Sequence, residues 1–405
     1  MPDIVSFIPD YAMRIFAALR AHGKHGYLVG GSLRDILRGV TPHDFDMTTD
    51  ATPDEMLHIF KDWHVIPTGL KHGTVTVLSD GQPIEITTHR TDGTYTDSRH
   101  PDSVTFTQSL AEDLARRDFT VNAMAWSEQS GLVDLFGGVT DLQSRVLRAV
   151  GEPDKRFSED ALRILRCFRF AAQLDFTVEE NTASAATHCA ARLADIAPER
   201  IFAELTRTLV APAAQKGLTG LLAAGCAPYV FAGITPATQV LPLIEALAPD
   251  PATRLAALLH QSTDNAVNTL LVGLRTSKSF AASVKAQLAV IRDTPPQTPY
   301  EARRFVCRHF PHAEDGLKLK GILNAIDTAP AVALCRRVLR DGTAVELRRL
   351  AVNGKELQQH TGVRPDKTAA LLAALQDLVW QEPSENKRDT LLTFAATIVQ
   401  KENWL

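Results

Sequence analysis

Cysteine is scarce in this 405-residue sequence, and long apolar runs are lacking. The five cysteines are odd in number, scattered and free of CxxC spacing, which indicates reduced thiols in a cytoplasmic protein without a structural zinc. No run of about 18 apolar residues occurs, so we expect no membrane span. The first residues also lack the basic start and continuous apolar segment of a signal peptide, so none is expected.

An excess of basic charge is lacking as well, because the formal net charge is −4 and the isoelectric point is near 6.4. A nucleic-acid partner is therefore not visible in the total charge, and any RNA site must be a local basic surface. Hydrophobic residues make up 45% and charged residues 22%, as in ordinary globular proteins. The length favours several domains.

The pattern of the sequence changes near residue 151. Before it, strand-like and helix-like segments alternate with frequent glycine. After it, Ala/Leu-rich helical segments are separated by short Pro/Gly breaks. This predicts an α+β N-terminal head, a mixed sheet with flanking helices, followed by an elongated all-α remainder. The elements predicted in the head are a strand at 26–31, a helix stopping at Gly39, a strand at 44–47, a helix at 53–63 opened by a Thr52 capping box, and strands at 74–77 and 83–87.

Acidic residues occupy alternate positions on the predicted strands. Asp44 and Asp46 share one face while Phe45 and Met47 point to the core. If the strand carrying Glu85 is a neighbour, three carboxylates converge, and such hard oxygen ligands suit Mg²⁺. A lone DxD is more often a solvated turn or a helix cap, so this pattern needs support from its surroundings.

A glycine turn upstream supplies that support. Gly30 and Gly31 are followed by Ser32, Arg34 and Asp35, at the start of a predicted helix. Backbone N–H groups at such a turn can cradle phosphate, and Arg34 can add a charged clamp. A glycine turn followed by DxD on the next strand is a much stronger signal than either part alone.

The run from Leu28 to Gly39, together with Asp44-Phe45-Asp46, closely resembles the head motif of the class II tRNA nucleotidyltransferase/poly(A) polymerase family. The resemblance implies a polymerase-β-like nucleotidyltransferase head. It assigns metal binding to Asp44 and Asp46, and triphosphate contact to Gly31 and Arg34. Glu85 stands where the family has its third catalytic carboxylate.

A second motif of the same family is matched by the run from Arg116 to Ala125. The resemblance gives Arg116 and Arg117 phosphate or sugar contacts, and Asp118 a role in accepting from ribose hydroxyls, with Asn122 in the same nucleotide pocket. The residues alone would favour a plainer interpretation, an exposed helix start with Asp118 as its N-cap.

Asp160, Arg163, Arg166 and Arg169 recur every three residues on a predicted helix that Ser158 caps and that runs to about Leu174. Such a stripe is commonly a solvated ion-pair face. However, three arginines to one aspartate leave positive charge to face an anion. The family resemblance identifies this segment as the nucleotide-selecting helix, with all four residues in contact with nucleotide.

The base edges make that role chemically sensible. Cytosine and adenine both present an amine donor beside a ring-nitrogen acceptor, whereas uracil and guanine present a carbonyl and an N–H. A carboxylate at Asp160 and a guanidinium at Arg163 therefore match CTP and ATP and reject UTP and GTP. The polar segment 91–103 resembles the family's flexible loop for switching from C to A, which favours a full CCA-adding activity.

The resemblance divides the chain into a catalytic head (1–150), a helical neck with the selecting helix (151–210), a helical body (211–345) and a tRNA-binding helical tail (346–405). Motifs at 134–148 and 198–205 resemble family segments expected to be mainly structural. The only His-Asp dipeptide is His43-Asp44, inside the head motif, so we expect a bacterial type without a phosphohydrolase domain.

These observations predict a Mg²⁺-dependent, cytoplasmic tRNA nucleotidyltransferase that adds CCA using CTP and ATP. The alternatives are a poly(A) polymerase, an enzyme of the same family that adds only CC or A, and a catalytically inactive RNA-binding protein. We expect tRNA as partner and no membrane association. The oligomeric state stays open, with a homodimer as one alternative.

Overall fold

The computed structural model describes residues 2–93, 104–343 and 346–405. Contacts divide the chain into two compact units, Met1–Pro236 with Asn268–Arg275 and Ala237–Val267 with Thr276–Leu405. All strands of the described residues lie in the first unit, and the described part of the second unit is helical. The predicted α+β head followed by an all-α remainder is confirmed.

The first unit contains a seven-stranded sheet and two small two-stranded ones. Its strands are β1 (Gly26–Val29), β2 (Asp46–Thr49), β3 (His64–Gly69), β4 (Thr74–Ser79), β5 (Gln82–Thr88), β6 (Arg90–Asp92), β7 (Val104–Phe106), β8 (Met124–Ser127), β9 (Gly131–Asp134), β10 (Val146–Leu147) and β11 (Thr177–Val178). The large sheet has the order β3-β4-β5-β2-β1-β8-β9.

Helices account for the rest of the regular structure. The α-helices are α1 (Asp10–Ala21), α2 (Gly30–Leu37), α3 (Pro53–Ile59), α4 (Leu110–Ala115), α5 (Gly138–Ser144), α6 (Pro153–Glu159), α7 (Leu162–Leu174), α8 (Glu180–Cys189), α9 (Pro198–Leu209), α10 (Ala214–Ala223), α11 (Ala227–Val230), α12 (Pro251–Leu259), α13 (Asp264–Gly273), α14 (Lys278–Arg292), α15 (Pro299–His309), α16 (Ala313–Asn324), α17 (Ala329–Arg340), α18 (Gly354–Thr361), α19 (Thr368–Gln381) and α20 (Arg388–Lys401). Short 3₁₀ helices lie at Val5–Phe7, Leu70–His72, Thr120–Asn122, Ala190–Asp195, Thr238–Ala246, Leu347–Arg349 and Pro383–Glu385.

Alternation along the central strands builds the core of the head. Val75 and Val77 of β4 and Ile84 and Ile86 of β5 are fully buried, while Glu85 between them is exposed. Strands whose side chains point alternately to the two faces bury every second residue. The apolar side packs against α1, α2 and α3, which leaves the carboxylates on the other side.

Most elements predicted in the head are confirmed, with shifted ends. The capping box at Thr52 opens α3, which ends at Ile59 rather than near Trp63. The chain leaves α2 at Gly39, whose φ of +75° suits the left-handed region. Of the loop expected at 91–103, residues 94–103 lie outside the described residues, while Thr91 belongs to β6, which pairs with β7.

The long helix expected from Ser158 to Leu174 is wrong in one respect, because it is two helices. Ser158 lies inside α6, and the backbone is extended at Asp160, with φ −139° and ψ 103°. The Asp160 side chain accepts from the backbone N–H of Leu162 at 3.0 Å. Aspartate readily makes such local bonds in place of a helical turn, which explains the break.

Helix α7 is fixed by very close packing against α10. A Cβ added to Gly217 of α10 would lie 2.6 Å from both the Ala172 Cβ and the Phe168 carbonyl oxygen of α7. Only glycine allows the two helices to approach this closely. The position of α7, which carries the predicted selecting arginines, therefore depends on this residue.

We expect Gly217→Ala to destabilise the protein. The forced repacking costs about 1–3 kcal/mol, against a gain in helix propensity of up to about 1 kcal/mol. Gly273→Ala in α13 is the matched control, since a Cβ there would meet nothing within 4 Å. Urea denaturation followed by circular dichroism measures both, and equal unfolding midpoints would contradict the packing argument.

No helix among the described residues is long and apolar enough to cross a membrane.

Candidate active site

Two of the three predicted carboxylates lie opposite each other on neighbouring strands. β2 pairs in parallel with β5, and Asp46 is the register partner of Glu85. Asp44 lies in a bend two residues before Asp46, so the strand begins later than the sequence predicted. Phe45 and Met47 are nevertheless buried and Asp44 is exposed, so the expected apolar and polar sides are kept.

Asp46 lies close enough to both Asp44 and Glu85 to feel their negative charge. Burial, then the charge of Asp44 and then that of Glu85 raise the pKa of Asp46 from 3.8 to about 6. The charge of Arg117 acts in the opposite direction. Clustered carboxylates of this kind favour a bound cation, which relieves their repulsion.

The described residues offer a cation only part of its ligands. Among them, no group of three or more Asp, Glu, His or Cys side chains is arranged to hold a metal ion. Asp44 and Asp46 line the same cavity, and Glu85 is not among its lining residues. A cation at these two aspartates would need oxygens from substrate or water, as Mg²⁺ typically does.

The predicted glycine turn joins β1 directly to α2. Gly30 has a φ of +72°, and Gly31 lies against the Arg34 guanidinium, which is 3.5 Å from a Cβ built on Gly31. Arg34 is buried and donates to the Asn122 side-chain oxygen at 2.8 Å and to both oxygens of Asp35. The Arg34 guanidinium, which the sequence predicts to bind phosphate, is therefore held in position by Asn122 and Asp35.

The adjacent arginines of the second motif share one buried carboxylate. Arg116 donates through Nε and Nη2 to Asp113 Oδ1 at 3.0 and 2.7 Å. Arg117 donates through Nη2 to Asp113 Oδ2 at 3.2 Å. The charges of these guanidiniums hold the pKa of Asp113 below its ordinary value despite the burial of the carboxyl, which by itself would raise it.

Asp118 is the centre of a second buried network. Its Oδ1 accepts from the backbone N–H of Phe119 and from the Asn122 amide, and its Oδ2 accepts from Nε and Nη2 of Arg166. Burial by itself would raise the pKa of Asp118. The charge of Arg166 and the hydrogen bond from the Asn122 side-chain amide outweigh burial and hold that pKa well below the ordinary range. The carboxylate has about four acceptor positions, and the protein's own donors occupy them.

Asp160 and Arg163, expected to read the base, both line the cavity. Asp160 Oδ2 lies 3.4 Å from the Nη2 atom of Arg200, which belongs to α9. Arg163 donates to Glu159 and to the carbonyl oxygens of Arg156 and Arg116. These bonds use three of the five guanidinium N–H groups, so two remain for a ligand.

The expected excess of unpaired charge on the arginine stripe is wrong for the individual side chains. Arg166 pairs with Asp118, and Arg169 pairs with Glu204 through a 2.5 Å bond. Arg163 likewise pairs with Glu159 at 2.9 Å. Their carboxylate partners come from distant parts of the sequence, apart from Glu159, and the spacing of the stripe could not reveal them.

Positive charge is nevertheless in excess over negative charge in the cavity as a whole. A cavity of about 530 Å³ is lined by seven arginines and four aspartates. Arg34, Arg116, Arg117, Arg163, Arg166, Arg169 and Arg200 are the arginines, and Asp44, Asp46, Asp118 and Asp160 the aspartates. Gly30, Gly31, Asn122, Leu162, Phe170 and Gln173 complete the lining. Acidic and basic groups together suit a polyanion that carries a cation.

Comparison with known proteins identifies the family. Residues 26–148 match the Poly A polymerase head domain, and residues 175–238 match the probable RNA and SrmB-binding site of polymerase A. The chain is 34% identical over 410 residues to the CCA-adding enzyme of Streptococcus thermophilus, covering 98% of this chain and 99% of that enzyme. The chain belongs to the family of CCA-adding enzymes.

Two further comparisons agree. The CCA-adding enzyme of Levilactobacillus brevis is 44% identical over 279 residues, which span 66% of this chain and 65% of that enzyme. The crystal structure of the Bacillus stearothermophilus CCA-adding enzyme in complex with CTP superposes with a TM-score of 0.83 at 30% identity, covering 98% of this chain and 99% of that one. The chain is thus a nucleotidyltransferase, and enzymes of this family are metal-dependent.

Apart from Glu85, the predicted site residues line one cavity, but several other residues that line or support it were not predicted. Arg200 was assigned to a structural motif, and Phe170 and Gln173 were not singled out. Asp113 and Glu204, which hold lining arginines, were missed as well. Phe170 lies beneath the Arg169 guanidinium, 3.8 Å from ring centre to carbon. A search for carboxylates near each arginine in sequence could have found Asp113, whereas Glu204 lies 35 residues from Arg169.

We expect cation binding to weaken as the pH falls through about 6. A proton and a metal ion compete for the Asp46 carboxylate, and its raised pKa brings that competition near neutrality. In metal-free protein the same group also contributes stability that is lost as the pH rises from about 4 to about 6. Calorimetric titration with Mg²⁺ between about pH 5 and about pH 7.5 measures the affinity. An affinity that stays constant over this range would contradict the expectation.

Proposed function

We propose that this protein rebuilds the 3′-terminal CCA of tRNA without a template, using CTP and ATP and releasing pyrophosphate, in the cytoplasm. One observation carries the proposal: the DxD carboxylates, the glycine turn and the arginines of two distant motifs line a single cavity. Membership of the CCA-adding enzyme family supports it, as does the likeness to a family member whose structure contains CTP. We further propose Mg²⁺ as the metal.

Asp44 and Asp46 would hold the metal, which supplies a Lewis acid for the attacking tRNA hydroxyl and the leaving pyrophosphate. Two carboxylates with open positions suit Mg²⁺, which keeps waters and takes substrate phosphate oxygens. Glu85 lies next to Asp46 and adds negative charge without lining the cavity. Its role is then to strengthen the attraction for the cation.

The triphosphate would bind at the glycine turn and the arginines around it. Gly31, Arg34, Arg116 and Arg117 line the same cavity. Guanidinium groups bind phosphate oxygens through paired N–H donors. Asp118 would act through Arg166 and Asn122, because its oxygens already accept from the protein. Arg166 and Arg169 then face the sugar and phosphate.

Base selection would fall to Asp160 and Arg163. Asp160 is oriented by Arg200 and by the backbone N–H of Leu162, and its oxygens keep acceptor capacity for an exocyclic amine. Arg163 keeps two N–H groups for a ring nitrogen. The pair would therefore accept cytosine and adenine alike.

We propose the division into head (1–150), neck (151–210), body (211–345) and tRNA-binding tail (346–405) as the functional organisation. The family matches at 26–148 and 175–238 fall in the head and in the neck with the start of the body. A poly(A) polymerase remains the second candidate because that enzyme class gives the head match its name.

The activity test uses purified protein, tRNA lacking CCA and labelled nucleotides. Three added residues that then stop are expected. A long A ladder would support the poly(A) polymerase, and two added C residues a CC-adding enzyme. No incorporation would contradict the proposed activity.

We expect Asp44→Ala and Asp46→Ala each to reduce nucleotide incorporation by about 100-fold or more, since each removes a ligand for transition-state charge. Asp54→Ala, an exposed carboxylate on α3, serves as control and should keep full activity. Single-turnover incorporation into tRNA measures the rates. Unchanged rates in the Asp44 and Asp46 variants would exclude the metal assignment.

We expect Asp160→Asn to shift selection towards uracil, because the amide offers a donor to the carbonyl that replaces the amine. The ratio of kcat/KM for CTP to that for UTP should fall by about 10- to 100-fold, the value of one mispaired buried polar group. Glu180→Gln, on the exposed start of α8, is the control. If all four nucleotides lose activity equally, Asp160 does not read the base.

A further inference from the structure

Asp113 lies behind the cavity and makes no contact with its interior. Its side chain is 0% exposed, on α4, and it is not among the cavity-lining residues. A carboxylate so completely buried cannot touch substrate. Any influence of Asp113 on the reaction must pass through the groups that it binds.

Those groups are the two adjacent arginines that do line the cavity. Asp113 Oδ1 accepts two N–H groups of Arg116, and Oδ2 accepts one from Arg117. The Thr48 hydroxyl also lies 3.3 Å from Oδ2. The single hydroxyl proton of Thr48 is shared with the Thr87 carbonyl oxygen, which is closer at 3.0 Å. The three guanidinium N–H groups on the two carboxylate oxygens therefore fix the orientation of Asp113 and of both arginines.

The contact with Thr48 ties this arrangement to the acidic strand. Thr48 stands two residues after Asp46 on β2, so the two side chains share a face. Asp113 thus connects the strand of the metal-binding carboxylates with the paired arginines. Two neighbouring guanidiniums of like charge repel each other, and the buried carboxylate between them offsets that repulsion.

We propose that Asp113 is a positioning residue for the nucleotide triphosphate, holding Arg116 and Arg117 in the geometry that binds its phosphates. The proposal rests on the proposed function, in which these arginines contact the triphosphate. Phosphates are common to all nucleotides, so the effect of Asp113 is the same for CTP and ATP and leaves base selection unchanged.

Asp113→Asn tests the proposal, because the amide keeps the size of the side chain and removes its charge. The KM for CTP and the KM for ATP should both rise, by about 10- to 100-fold, the value of charged hydrogen bonds lost. Selectivity for CTP over UTP should be unchanged, and kcat should fall less than KM rises. Glu112→Gln, the exposed neighbour on α4, is the matched control and should change neither. An unchanged KM in a folded Asp113→Asn protein overturns the proposal.

A double-mutant cycle separates positioning from general structural damage. In a protein that already carries Arg116→Ala and Arg117→Ala, adding Asp113→Asn should raise KM no further. A further rise equal to that in the otherwise unaltered protein would overturn the proposal. If the two arginine substitutions themselves leave KM unchanged, the triphosphate assignment of the proposed function fails. If they raise KM and Asp113→Asn does not, only the role of Asp113 fails.

Should Asp113→Asn not fold, as judged by circular dichroism, Asp113→Glu takes its place. The longer carboxylate keeps the charge and displaces both guanidinium groups. The KM for CTP and ATP is expected to rise again with base selectivity kept, and an unchanged KM overturns the proposal.

Discussion

The parallel pairing of β2 with β5 is the constraint on which the site depends. It sets Asp46 opposite Glu85, with Asp44 two residues before Asp46, and so forces like charges together. Their repulsion and the burial of Asp46 raise the pKa of that carboxyl to about 6. The folded sheet maintains this unfavourable arrangement because the opposite sides of the same strands bury Met47, Ile84 and Ile86 in the core. A bound cation would offset the repulsion between these carboxylates.

The arginines around the cavity bring positive charges close together, and buried carboxylates offset the repulsion between them. Asp113 binds two of them, and Asp118 and Glu204 bind one each. These pairs neutralise charge that would otherwise be buried without a partner, and they orient each guanidinium. The cavity keeps more arginines than aspartates along its wall, so it remains suited to a polyanion. These hydrogen bonds also join distant parts of the chain. Arg166 of α7 is bound to Asp118, and Asn122 links Asp118 to Arg34 of α2.

Much of the head could be predicted because its signals are local. The glycine turn at Gly30, the capping box at Thr52 and the alternation in β4 and β5 each occupy a few consecutive residues, and each has one favoured backbone conformation. The break at Asp160 was not predicted because aspartate within a helix-like run can either continue the helix or interrupt it by accepting a hydrogen bond from a nearby backbone N–H. The partners of the arginine stripe escaped it because Asp118 and Glu204 are 48 and 35 residues away from Arg166 and Arg169.

The sequence by itself determined the α+β head, the all-α remainder, the family and most of the residues that line the cavity. It could do so because backbone propensity, side-chain alternation and short motifs are encoded by neighbouring residues. Only the tertiary structure decided that β2 lies beside β5, that Arg200 reaches Asp160, and that Asp113 holds both arginines from behind. These facts depend on which distant segments pack together, and packing is set by the whole core rather than by any one stretch of chain.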